Sequence, residues 1–78
     1  MKPANKEELR KLVSSMTVEA YEELAPQAVM ELDQIKHRTD LTDAEKSDEI
    51  LLAMVGYVKA CTNEMVINVL AQILDLPE

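Results

Sequence analysis

At 78 residues and 8.8 kDa the chain has room for a single domain, residues 1–78, and none for a cofactor-binding α/β unit joined to a substrate domain. Eight Lys and Arg against fifteen Asp and Glu give a formal charge of −7 and a pI near 4.6, which repels a phosphate backbone, so no direct nucleic-acid binding is expected. A 47% hydrophobic composition with one Gly, three Pro, two Tyr and neither Phe nor Trp points to a folded, helix-rich chain rather than a disordered or all-β one.

In chain order, the first helix signal is Asn5 followed three residues later by Glu8, the spacing of a capping box, with Pro3 just upstream. Leu9, Leu12, Val13 and Met16 then recur at helical spacing, which predicts a short helix over about Lys6–Ser15. Ser14 and Ser15 weaken its end. Thr17 is placed to cap a second helix, with Glu19 in a first turn where the helix dipole favours an acid.

From there Val18, Tyr21, Ala25, Ala28, Leu32 and Ile35 alternate steps of three and four, so they form one face of a helix, widened by Leu24 and Val29. Pro26 interrupts this segment. It either kinks the helix or opens a new one at its first turn, and the apolar phase is the same in both cases. A polar stretch, Lys36 to Thr42, closes the segment. Thr42 with Glu45 forms a second capping box ahead of a third helical run to about Asp75, where Leu76, Pro77 and Glu78 form the stop. A polar strip through Glu45, Glu49, Gly56, Lys59, Asn63, Glu64, Asn68, Gln72 and Asp75 keeps helical phase, which predicts a solvent-facing side. A run of more than 30 residues far exceeds the mean helix of about 11–12, so a break near Thr62 and Asn63 is expected.

These elements predict an all-α fold, a small bundle of three to four helices completed by homodimerisation. Ordering the chain costs on the order of 100 kcal/mol, and one small core leaves little surplus over that. The single cysteine excludes an internal disulfide, and one histidine without a cysteine pair does not suit structural zinc. Oligomerisation is the stabilising device that remains. Its interface is expected on the apolar C-terminal segment: the small-residue row Ala53, Gly56 and Ala60, together with Val66, Leu70 and Ile73.

Ile50–Leu74 has 18 apolar residues in 25, but Lys59, Asn63, Glu64, Asn68 and Gln72 interrupt it. Lysine alone costs about 2.5–3.5 kcal/mol at a membrane centre, so no membrane insertion is expected. Met1 to Leu12 mixes charges with no apolar core and so lacks a targeting signal; the chain is expected to begin near Met1. A lone thiol fits the reducing cytoplasm.

Candidates for chemistry are few. Cys61 lies in an apolar stretch where desolvation makes a thiol inert, so it is expected in the core, as are the five methionines. Asp33 and His37, four apart, could face one metal, but no motif supplies a third ligand, and the enzyme or metal reading of His37 with carboxylates ranks last. The segment from Asp40 fails as a calcium loop, having Ala44 and Glu45 where an oxygen ligand and glycine belong. No cofactor and no catalytic residue is expected.

Charge placement is the most distinctive feature. Between Glu19 and Glu49 ten acids stand against Lys36, Arg38 and Lys46, whereas the N-terminal arm carries Lys2, Lys6, Arg10 and Lys11. Glu19, Glu22, Glu23, Glu45 and Glu49 are therefore the candidate residues for steering onto a basic protein partner, against the plainer reading of a solvated face. The function expected is a non-enzymatic interaction module that binds and modulates such a partner, of the accessory-subunit, inhibitor, immunity, antitoxin or chaperone kind. The alternative is a structural module that only oligomerises.

Overall fold

The computed structural model describes residues 2–77, and among these the chain is all-helical. It has two helices rather than three or four: α1, Lys6–Lys36, and α2, Asp43–Ile73, joined by the turn 37–42. The two run antiparallel as a hairpin measuring 52 × 24 × 14 Å. Its thinnest dimension is close to the diameter of one helix with side chains, about 10–12 Å, so the molecule is a single layer.

The extra helix ends read from the sequence are absent for identifiable reasons. Thr17 does not cap a new helix; its hydroxyl donates to the Val13 carbonyl at 2.7 Å, and α1 passes through Ser14 and Ser15. Thr62 likewise donates to the Val58 carbonyl at 2.9 Å, so α2 continues unbroken past Asn63. In both places the hydroxyl bonds backward inside the helix instead of competing for the backbone at a terminus. Pro26 lies within α1 on the exposed outer side, where water can satisfy the carbonyl that its missing N–H leaves without a partner.

The helix starts and the turn follow the sequence closely. Asn5 Oδ1 accepts from the Glu8 N–H at 2.9 Å, while Glu8 Oε2 accepts from Ala4 N–H at 2.7 Å, one residue before the cap itself. Thr42 and Glu45 form a full capping box at 3.1 Å in both directions. These bonds hold the Glu45 carboxyl below the usual carboxylate range, the bond from Thr42 N–H being the largest cause. In the turn, Arg38 grips Asp40 through two nitrogens at 2.7 and 3.1 Å, and that grip lowers the Asp40 pKa. Lys46 Nζ donates to the last α1 carbonyl, Lys36, at 3.1 Å, placing a cation on the negative end of the helix dipole. At the far end Leu76 N–H bonds the Ala71 carbonyl at 2.8 Å and Asp75 takes a φ of 54°, a left-handed helix stop.

The helices meet closely at a pair of small side chains. Ala20 is fully buried and Cys61 is 1% exposed, with the Cys61 Sγ 3.9 Å from the Ala20 carbonyl oxygen. One turn away the Tyr57 hydroxyl donates to the Tyr21 carbonyl at 2.8 Å, and the two rings meet edge to face at 5.3 Å. Ile35 and Val69 are the other buried residues among those described. The α1 face expected to be buried is therefore turned. Ile35 is buried, Tyr21, Ala25, Ala28 and Leu32 are half-buried, and Val18 is 57% exposed. On α2 the expected solvent strip is also misassigned in part, because Glu64, Asn68 and Gln72 are half-buried while Leu51, Leu52, Val55 and Ile67 face outward. Apolar residues cover most of α2, so hydrophobicity does not choose its phase; the close approach at Ala20, Cys61 and Tyr57 does.

Tyr57→Phe should lower the melting temperature by on the order of 5 °C through loss of the interhelical hydrogen bond. Burial, with the Cys61 thiol next, raises the Tyr57 phenol above its ordinary 10.0. Its contribution is therefore complete below pH 10 and lost as pH rises through the raised value. Thermal melts of the variant should show a shallower alkaline decline than the parent.

Candidate interaction surface

A lone helical hairpin covers one stripe of each helix, and the remaining apolar side chains define its surface. Among the described residues fourteen large hydrophobic side chains are exposed, nine of them in α2 between Leu51 and Leu70 or just beyond it at Leu74. Monomeric proteins rarely leave apolar area of this extent uncovered, and such patches mark contact sites. By length and composition α2 is also apolar enough to cross a membrane, with 6% of its most apolar window buried.

The two sides of the layer differ. On one side a groove runs between the helices. Leu24, Ala28, Leu52, Gly56 and Ala60 line it, with Glu31 and Glu49 among its polar lining residues. A Cβ added at Gly56 would meet nothing within 4 Å, so the glycine leaves this groove open and is not needed for close packing within the hairpin. On the other side Leu51, Met54, Val55 and Val58 surround a shallow hollow bordered by Lys59.

The residues nominated from sequence are distributed as follows. Glu19, Glu22, Glu23, Glu45 and Glu49 are all exposed. They form two groups, because Glu19 to Glu23 lie level with Tyr57 and Cys61 whereas Glu45 and Glu49 lie near the turn. At 1.5 Å per residue the groups are roughly 10–25 Å apart along the axis. Glu45 is also engaged by its own helix cap. Of the nominated interface, Ala53 is half-buried in the seam, Gly56 and Ala60 line the groove, Val66 and Leu70 are exposed, and Ile73 is half-buried. Glu31, one of the ten acids of the run but outside the five candidate steering residues, borders the same groove, as its helical spacing from Leu24 and Ala28 implies.

Asp33 and His37 do adjoin, with Nδ1 3.5 Å from the Asp33 carboxylate and 2.8 Å from the Asp33 carbonyl oxygen, so the ring serves the end of α1. Among the described residues no three His, Cys, Asp or Glu side chains converge on a point that could hold a metal ion. Cys61 is buried and free. Comparisons with protein-family models, with curated proteins and with solved structures find no match to this chain.

Two outcomes follow from this placement. Cys61 should react with a thiol reagent slowly in the native protein and quickly in denaturant, and equal rates would mean that the helices do not meet there. Gly56→Ala should raise stability by about 0.8–1 kcal/mol, the helix-propensity gain with no clash to offset it, measurable by urea unfolding.

Proposed function

We propose that this chain is a non-enzymatic, cytoplasmic protein–protein interaction module whose acid-bordered groove receives a basic segment of a partner and thereby modulates it. The observation that carries this reading is the groove itself. An apolar floor from Leu24, Leu52, Gly56 and Ala60 lies open beside the Glu31 and Glu49 carboxylates, a combination suited to an amphipathic segment with Lys or Arg along one edge. The outlying acids Glu19, Glu22, Glu23 and Glu45 add a long-range field that speeds encounter without requiring direct contact. With a net charge of −7, the chain favours a basic protein surface over nucleic acid as its ligand.

The test is affinity capture with the intact chain from its host, followed by association kinetics on the captured partner. Glu31→Gln with Glu49→Gln should slow association and flatten its salt dependence, because exposed charges beyond about 8 Å are screened at physiological ionic strength. Gly56→Leu should block binding sterically while leaving the helical circular dichroism unchanged. Indifference of the captured partner to all three substitutions would overturn the groove reading. Co-flotation of the chain with phosphatidylcholine vesicles, with α2 protected from protease, would replace it by a membrane role.

A further inference from the structure

The side of the layer opposite the groove is the more apolar one. In an antiparallel pair, residues rotated in the same sense from the seam lie on the same side of the layer. At 100° per residue, Tyr21, Ala25 and Leu32 stand about 60–100° from the α1 seam, with Val18 slightly further, and Leu51, Val55 and Val58 stand about 75–135° from the α2 seam in the same sense. Leu51 is 63% exposed, Val55 59% and Val58 48%. The two stripes thus make one continuous apolar face across both helices.

We propose that this face is the interface between two copies of the chain, stacked as an antiparallel four-helix assembly with their turns at opposite ends. It concerns the face opposite the groove and does not depend on the partner reading above. Three observations on surface area, shape and charge argue for a second copy as the occupant.

The surface area fits a dimer. A compact chain of 8.8 kDa exposes about 4,800 Å², whereas this one exposes 6124 Å². A compact dimer of twice the mass exposes about 7,900 Å², so pairing would remove about 4,300 Å² in total, inside the 2,000–5,000 Å² range of obligate homodimers. The shape fits as well. The layer is 24 Å wide and 14 Å thick, and a second layer packed at a helix spacing of about 8–10 Å makes the cross-section nearly square.

Charge then decides the orientation. Residues 2–11 carry four cations and two acids, whereas 31–49 carry seven acids and three cations. With the turns at opposite ends, a two-fold axis at the level of Ala25 and Val55 sets Lys6, Arg10 and Lys11 of one copy beside the acidic 31–49 end of the other. The same axis sets Leu51 against Val58 and Val18 against Leu32 across the interface. With the turns at the same end the two acidic 31–49 stretches would adjoin and repel.

Light scattering of the full chain at micromolar concentration should give about twice 8.8 kDa. A helical species of 8.8 kDa alone would overturn the dimer even if a captured partner still binds the groove, and a dimer that captures nothing would overturn the groove reading alone. Val55→Glu, which would bury an unpaired carboxylate, should weaken self-association by at least about 100-fold. Orientation is read in a Cys61→Ser background. Val55→Cys should form a disulfide with its own symmetry mate, because a bridge needs Cα atoms within about 7 Å. Failure to crosslink alone, with efficient crosslinking when mixed with Ala25→Cys, would mean turns at the same end and overturn the arrangement. Recovery as a monomer inserted in vesicles would overturn the proposal outright.

Discussion

The close approach of α1 and α2 at Ala20 and Cys61 sets the phase of both helices and, through that, which residues the molecule leaves uncovered. Small side chains there let the Cys61 sulfur come within 3.9 Å of a backbone oxygen and let the Tyr57 hydroxyl reach the Tyr21 carbonyl. Larger residues at these two positions would hold the helices apart and remove that bond. Once the seam is fixed, the two helices in one layer have no third element among the described residues to cover their flanks, and α2 has apolar residues on more of its circumference than α1 can face. A surface of 6124 Å² is the direct result.

The two flanks are chemically unequal. One combines small side chains, a groove and carboxylates, so it offers shape together with charge. The other has an almost uncharged centre and so offers little charge by which to choose among partners. Covering the second by self-association would leave the first open on both outer sides of the assembly. Each copy would then carry its own groove, and the acidic 31–49 stretches would stand at opposite ends. Such an arrangement separates stability, which comes from apolar burial, from recognition, which comes from charge and groove shape.

Local signals were legible in the sequence wherever a short-range bond decides the structure. The Asn5–Glu8 and Thr42–Glu45 spacings mark both helix starts, and the polar stretch from Lys36 to Thr42 marks the turn. The same local reasoning gave extra boundaries at Thr17 and Thr62, because a threonine hydroxyl can bond forward as a cap or backward within a helix, and sequence does not distinguish the two. Pro26 was ambiguous for a similar reason. Its cost is local, but the continuity of α1 is secured by contacts with α2 on both sides of it.

Composition and spacing by themselves determined that the chain is helical and acidic, where its two long helices begin, that Cys61 is a core residue, and that apolar surface is in excess. Tertiary structure alone decided which residues use that excess. The periodicity of α1 favoured the stripe from Val18 to Ile35, and α2 offered several equally apolar phases. The seam keeps Ile35 of that face but centres on Ala20 rather than Val18, and meets Cys61 and Val69 on α2, because helix packing depends on how closely two backbones can approach as well as on how much apolar area each face carries.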